Sequence, residues 1–225
     1  MTRHTPHIRT ARTVLAMTAI VAVAACSKKS PTAPSNPVAI TNIVPPANSG
    51  FVEARTSQIV TDGSPPSQVF DDFSFAAGGT FTKVGWQGIY CVQQPGAAAP
   101  SPTASSFTVS FYSDLNGKPN LTAPLQTTTY TVAQSGQTFE KNVSGLMCGT
   151  AANTTWPFYK YAVTLPTPFT VTAGSKYWIS IQATTPSYAV YFGWRDGTVL
   201  NNLSLQLFNG VYTTYNIDRA YSLGS

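Results

Sequence analysis

The chain has little charge, few histidines and no apolar run as long as a membrane span. Only 9% of its residues are charged. From residue 30 onward eight basic residues balance eight acidic ones, so this part lacks the basic stripe that nucleic-acid binding requires. We therefore expect no nucleic-acid partner.

Histidine is confined to the N-terminal region, at His4 and His7. Removal of that region as a leader leaves no Ser-His-Asp or Cys-His mechanism and no histidine-ligated zinc. The chain also has neither a Gly-x-Ser-x-Gly elbow nor a Gly-rich phosphate loop. These absences exclude several common enzyme classes.

The N-terminus has the organisation of a leader. Three arginines precede a mostly apolar stretch from Thr13 to Ala25, which is shorter than the ~20 residues that a membrane span needs. This stretch ends at Val23-Ala24-Ala25-Cys26, which resembles a bacterial lipobox. The resemblance implies cleavage before Cys26 and attachment of acyl chains, such as palmitate, to that cysteine. The alternative is an ordinary signal peptide that is cut elsewhere, with Cys26 a free thiol.

Acylation of Cys26 implies that the lipid bilayer is a partner. Each buried methylene contributes ~0.8 kcal/mol, so two or more chains form a stable anchor. Ser27 fits sorting to the outer membrane in the lipoproteins that this segment resembles. We expect an exported protein held at the outer membrane or cell surface, with its domain in the periplasm or outside.

Composition divides the rest of the chain into a tether and a domain. Residues 1–25 are the predicted lipoprotein signal peptide, residues 26–56 a Pro/Ser-rich tether, and residues 57–225 the predicted β-sandwich domain. The five prolines between Ser30 and Gly50 favour extended segments and a semi-rigid spacer.

The domain consists of short runs with alternating polarity, separated by turn residues. In Phe107-Thr108-Val109-Ser110-Phe111 large apolar side chains alternate with hydroxyls, the period of a half-buried strand. About ten such strands without interposed helices predict an all-β, antiparallel β-sandwich or jelly roll. The predicted strands are Val69–Phe75, Thr80–Val92, Ser106–Tyr112, Leu125–Val132, Thr138–Val143, Phe158–Leu165, Lys176–Ala183, Tyr188–Trp194, Leu203–Phe208 and Asp218–Leu223.

Four motifs occur in an order that resembles a known domain. They are Val69-Phe70-Asp71-Asp72-Phe73, the segment Phe111 to Pro119, Tyr177-Trp178-Ile179-Ser180-Ile181, and Asp218 to Leu223. Together they resemble a β-sandwich domain of exported bacterial proteins that often carry a PEP-CTERM sorting tail. The resemblance covers roughly residues 66 to 225 and implies no assigned activity.

Acylation of Cys26 leaves two cysteines, Cys91 and Cys148, in an oxidising compartment. We expect them to form a disulfide, which in the chain-entropy view contributes roughly 4 kcal/mol for a loop of this size. The alternative is a pair of buried thiols.

Carboxylates are the remaining candidates for hydrolytic chemistry. Adjacent residues of a strand point to opposite faces, so Asp71 and Asp72 cannot form a catalytic pair by themselves. One of them paired with Asp218, Asp196 or Glu140 would give a glycosidase-like dyad. Asp71 or Asp72 with Asp218 would alternatively hold a structural calcium ion, and otherwise we expect no cofactor or metal. A hydrogen-bonded structural role is the simplest interpretation of these side chains.

The aromatic residues are the strongest indication of a ligand-binding site in the sequence. Trp86 and Trp178 lie within predicted strands and are expected in the core. Trp156 and Trp194 lie at strand ends, where core and surface positions are both consistent with the pattern. The candidate ligand-binding surface is Trp156, Tyr159, Trp194, Arg195 and Asp196.

The sequence therefore favours a non-catalytic recognition or structural domain, with a glycan as the ligand class. One alternative is a hydrolase or lyase that acts on polysaccharide through carboxylate or Tyr/Lys chemistry. Another is a module that binds an envelope protein or mediates adhesion.

Overall fold

The computed structural model of the chain describes residues 40–41, 54–92, 101–143, 156–198 and 201–225. Within these ranges the chain forms strands and turns but no helix, so the all-β prediction is confirmed. Accordingly, no helix in the described ranges could cross a membrane. The leader, Cys26 and Cys148 lie outside the described residues.

Fourteen strands are present in the described ranges, compared with about ten predicted for a sandwich of this kind. They are β1 (Ile40–Thr41), β2 (Ala54–Thr56), β3 (Gln58–Val60), β4 (Ser67–Ser74), β5 (Gly79–Cys91), β6 (Ser106–Leu115), β7 (Lys118–Thr131), β8 (Thr138–Val143), β9 (Trp156–Val171), β10 (Lys176–Thr185), β11 (Tyr191–Arg195), β12 (Ser204–Phe208), β13 (Val211–Tyr215) and β14 (Tyr221–Gly224).

The strands form two sheets that make a β-sandwich. In the first sheet β5 pairs with β9 along one edge and with β14 and β11 along the other. β8 continues this sheet beyond β9, while β1 and β2 are added to β14 and β11. The second sheet has the order β13-β12-β4-β3-β10-β6-β7, in which β4 also pairs with β10. The pairing of β3 with β10 is parallel, whereas the other pairings are antiparallel.

The main core lies between the sheets and is rich in aromatic rings. Phe107, Val109 and Phe111 of β6 are buried in it, whereas the hydroxyl of Thr108 on the other face hydrogen-bonds that of Thr129. The predicted alternation of β6 is thus confirmed. Edge-to-face and offset contacts between the aromatic rings of such a core add to the stabilisation from burial of apolar area.

The folded region begins earlier than the predicted boundary at Ser57. β1 pairs with the last strand, and β2 pairs with β11, so two segments of the predicted linker belong to the first sheet. Strands of two or three residues are too short to show a periodicity, and the prolines nearby suggested a spacer.

Candidate functional site

The expected surface of Trp156, Tyr159, Trp194, Arg195 and Asp196 is not a surface in this structure. Four of these residues are buried and Tyr159 is half-buried. The prediction that they form an exposed platform is therefore wrong, and the register of the sheets explains why.

Trp194 points into the main core. It alternates along β11 with Gly193 and Arg195, and it pairs with Arg55 of β2 and Gly88 of β5. Its indole Nε1–H donates to the carbonyl of Ala220 at 3.0 Å, which satisfies the ring's only polar group. Trp194 is therefore a core residue, and its hydrogen bond also connects β11 to the residue just before β14.

Trp156 and Arg195 belong to a second buried cluster, on the opposite face of the first sheet. There Trp156 packs with Ile89, Cys91 and Phe158. The guanidinium of Arg195 lies over the Phe158 ring at 4.6 Å. These contacts are structural, because they take the side chains out of solvent.

A series of hydrogen bonds and an ion pair connects buried Arg195 with the surface. Its Nη1 donates to the amide oxygen of Gln87 at 2.6 Å, and the Gln87 amide donates to Glu140 at 3.1 Å. Glu140 in turn forms an ion pair with exposed Lys160 at 3.2 Å. Burial lowers the pKa of Arg195, and the charges of Glu140 and Asp196 oppose that change.

Asp196 and Arg219 form a buried ion pair in the interior. The Nε of Arg219 also donates to the Ser204 hydroxyl at 3.2 Å, and its backbone N–H donates to Asp71 Oδ2 at 2.5 Å. Burial lowers the pKa of Arg219, while Asp196 and Asp71 raise it. The guanidinium thus sits among acceptors, as a buried cation must.

The carboxylates considered for calcium or hydrolysis are held by donors instead. Asp71 accepts the backbone N–H of Arg219, and Asp72 forms an ion pair with Lys176 at 2.8 Å. Asp218 accepts backbone N–H groups of residues 201–203. In the described ranges no three potential metal-ligating side chains are grouped together.

Asp71 and Asp218 are each 1% exposed, so they do not form a catalytic pair that a polymer could reach. The expectation that adjacent Asp71 and Asp72 point apart is confirmed, because Asp72 contacts Lys176 on one face and Asp71 contacts the Arg219 segment on the other. Their role is structural.

A groove of about 470 Å³ opens where β2 and β11 of the first sheet lie beside β4, β12 and β13 of the second. We call it the tyrosine groove. Its described lining combines three aromatic rings with four hydroxyl or amide side chains: Tyr188, Tyr191, Phe208, Thr56, Ser67, Gln206 and Thr213. This combination of apolar surface and a few polar groups is typical of a small-molecule or oligomer-binding site.

The rings of the tyrosine groove are accessible. Tyr188 and Tyr191 lie with ring centroids 5.3 Å apart and planes inclined by 40°. Both are half-buried, and Phe208 is 45% exposed. The hydroxyl of Tyr188 donates to the carbonyl of Pro65 at 2.5 Å, which fixes its ring.

Gln206 is held rigidly in the tyrosine groove. Its amide nitrogen donates to the Thr56 carbonyl at 3.0 Å and to the Ser67 hydroxyl at 2.9 Å. Its amide oxygen accepts the Tyr215 hydroxyl at 2.9 Å. The guanidinium of Arg55 covers the Tyr215 ring at 4.4 Å. The amide therefore has one orientation, set by strands from both sheets.

A second groove of about 560 Å³ lies between β7, β9 and β10. Its ring-bearing residues are occupied by the fold: Phe169 is buried in the core, and the Tyr177 ring stacks on Phe73. The Tyr177 hydroxyl accepts the backbone N–H of Thr172 at 3.0 Å. The tyrosine groove is thus the better candidate for binding.

The tyrosine groove was not predicted, because β13 is absent from the strands predicted from the sequence. The signal was present, however, in Asn209-Gly210. These residues adopt φ values of 49° and 75°, as a two-residue hairpin turn with two left-handed positions requires. The turn joins β12 to β13 and places Thr213 directly opposite Gln206.

The profile of a protein family described as a domain of unknown function (DUF7901) matches residues 42–212. The chain belongs to this family. The match covers most of the chain, and the description gives no activity. No curated protein matches the chain.

The fold of this DUF7901 member continues beyond the matched residues. The match ends within β13, whereas β14 pairs with β5 and its Tyr221 is fully buried. Arg219, with its ion pair to Asp196, also follows the match. The family match therefore contains most of the tyrosine groove but not the final strand that completes the core.

Cys91 ends β5 in the cluster of Trp156 and Phe158. The only other cysteines of the chain, Cys26 and Cys148, lie outside the described residues. The pairing with Cys148 therefore stays a prediction.

Proposed function

We propose that this protein is an exported, lipid-anchored recognition protein whose β-sandwich binds a glycan in the tyrosine groove without catalysing a reaction. The observation that carries the proposal is the accessible pair of rings, Tyr188 and Tyr191, beside the rigidly held amide of Gln206. A sugar has an apolar C–H face and a rim of hydroxyls, so it needs both kinds of group.

The rings supply the apolar part of this recognition. The face of an aromatic ring carries negative charge density and attracts the weakly positive C–H groups of a sugar face. Phe208 extends the apolar surface from the other sheet, so a chain of several sugar units has more than one ring to contact.

The polar part of the groove is ordered before any ligand binds. Gln206 has hydrogen bonds at both its nitrogen and its oxygen, and Tyr188 is fixed through its hydroxyl. Groups that are already immobile lose little entropy on binding, which favours affinity.

Export and anchoring rest on the sequence. The Val23 to Cys26 segment resembles a lipobox, and the low content of charged residues fits an exported β-domain. The Cys91–Cys148 disulfide belongs to the same proposal, since it requires an oxidising compartment.

One observation favours protein binding as a second candidate function. Val211, at the tip of the β12–β13 hairpin, is 66% exposed beside Phe208. A small exposed apolar pair of this kind suits contact with an envelope protein.

The test is a glycan array followed by calorimetry on the mature protein. Phe208→Ala and Tyr191→Ala should each weaken binding by at least about tenfold, equivalent to about 1.4 kcal/mol. The control is Phe139→Ala, which removes a ring that is 53% exposed on β8 of the first sheet. Absence of glycan binding, or equal affinities in all three variants, would reject the proposal.

Capture of an envelope protein that depends on Val211, with no glycan binding, would instead support the second candidate. Thermal unfolding of each variant shows whether a loss of binding reflects a loss of folding.

A further inference from the structure

The hydrogen-bonding capacity left in the tyrosine groove is mainly that of acceptors. Both N–H groups of Gln206 are used, by the Thr56 carbonyl and the Ser67 hydroxyl. Its amide oxygen accepts one bond from Tyr215 and retains a second lone pair. Gln206 therefore offers the groove an acceptor and no donor.

The hydroxyls of Ser67 and Tyr188 likewise have no hydrogen left to donate to a ligand. The Ser67 hydroxyl donates to the Thr56 carbonyl at 2.7 Å, and the Tyr188 hydroxyl donates to the Pro65 carbonyl at 2.5 Å. Each has committed its hydrogen. The Tyr188 oxygen keeps its lone pairs for a ligand, whereas buried Ser67 already accepts the Gln206 amide N–H as well. The other hydroxyls of the described lining, on Thr56, Tyr191 and Thr213, can donate as well as accept, but they carry no charge.

The groove also lacks the charge that an anion requires. None of its described lining residues is ionic. Burial raises the pKa of Tyr188, and Tyr191 and Asp62 raise it further. Carboxylate and sulfate groups are recognised through Arg, Lys or several N–H donors.

The nearest cations do not alter this conclusion. Arg55 does not belong to the described lining of the groove, and its guanidinium lies on the Tyr215 ring at 4.4 Å. Arg219 is fully buried and paired with Asp196.

We infer that the tyrosine groove selects an uncharged polysaccharide, recognised through hydroxyls that donate to Gln206 and Tyr188, over acidic polysaccharides. This inference rests on the proposed glycan-binding function. A neutral sugar supplies many O–H donors, whereas each carboxylate or sulfate would add acceptors that face other acceptors. Burying such unpaired acceptors is unfavourable.

The experiment compares soluble neutral polymers with acidic ones on the mature protein. The probes are glucan, mannan and xylan on one side, and polygalacturonate and a sulfated galactan on the other. We expect at least one neutral polymer to bind about tenfold or more tightly than either acidic polymer. We also expect this affinity to be nearly independent of salt, because no ion pair forms.

Two lysine variants locate the selectivity. Thr213→Lys places a cation at the groove, whereas Thr214→Lys adds the same charge to the opposite face of β13. Thr213→Lys should increase affinity for polygalacturonate severalfold at low salt, and Thr214→Lys should not.

The outcomes separate the two claims. Tighter binding of an acidic polymer by the wild-type protein overturns this inference but leaves glycan binding standing. Equal effects of the two lysine variants also overturn it, since the selectivity would then lie outside the groove. Failure to bind any polysaccharide overturns the proposed function and this inference with it.

Discussion

The backbone N–H of Arg219 donates a hydrogen bond to the carboxylate of Asp71, at 2.5 Å and 148 residues away in sequence. Asp71 belongs to β4 of the second sheet, and Arg219 lies just before β14 of the first. The side chain of Arg219 continues the connection to Asp196. Buried polar groups thus connect the two sheets in the interior, where apolar contacts are usual.

Asp71→Asn should make stability less dependent on pH. Burial raises the pKa of Asp71 well above its unfolded value of 3.8; the N–H of Arg219 opposes this, and Asp218 adds to it. Because its folded pKa is raised, the native state binds the proton more tightly, and stability falls as pH rises from 3.8 through the folded pKa. Asparagine keeps an acceptor for Arg219 and does not titrate.

The measurement for Asp71→Asn is urea unfolding across the acidic-to-neutral range. The free energy of unfolding of the variant, relative to wild type, should rise with pH. Asp62→Asn is the control with opposite sign, because a backbone hydrogen bond from Ser64 lowers the pKa of Asp62. Parallel curves for Asp71→Asn and wild type would contradict the prediction.

Trp194→Ala should destabilise the protein by about 3–5 kcal/mol, the cost of removing a large ring from a packed core. Trp194 is fully buried, and its loss also leaves the Ala220 carbonyl without its indole donor. Phe139→Ala, at an exposed ring, should cost much less. Denaturant unfolding of both variants tests this, and similar losses in the two would show that Trp194 does not act as a core residue.

Cys91 is expected to pair with Cys148. Mass spectrometry of a non-reduced digest should show a linked peptide that contains both, and Cys148→Ser should lower the free energy of unfolding by about 4 kcal/mol. A peptide linking Cys91 to Cys26 would contradict both this pairing and the acylation of Cys26.

Cys26→Ala should release the protein from membranes, because the acyl chains have no other attachment site in the proposed lipobox. Cell fractionation with an antibody against the domain measures this. Cys148→Ser is the matched control and should stay in the membrane fraction. Retention of Cys26→Ala there would show that another element holds the protein.

The sequence predicted what depends on local pattern. The alternation of β6 between Phe107 and Phe111 is visible in the residues themselves, so the strand and its buried face were predictable. The burial of Trp194 was not, because it depends on pairing with β2 and β5, far away in the chain. A shift of one residue would exchange it with Gly193 and reverse its exposure.

The tyrosine groove could not be predicted from local sequence patterns, for a similar reason. Its members include Thr56 and Thr213, which no periodicity connects. Only the Asn209-Gly210 turn gave a local sign, and it predicts a hairpin without indicating what the hairpin faces.

The Gln206 contacts have a consequence for how the protein is made. The amide is held by Thr56 and Ser67 from early strands and by Tyr215 from a late one. A growing chain therefore cannot form the tyrosine groove until β13 has been synthesised and has docked. The groove is therefore assembled late in synthesis, and a chain clipped before β13 would lack Thr213 and the Tyr215 hydroxyl that orients Gln206.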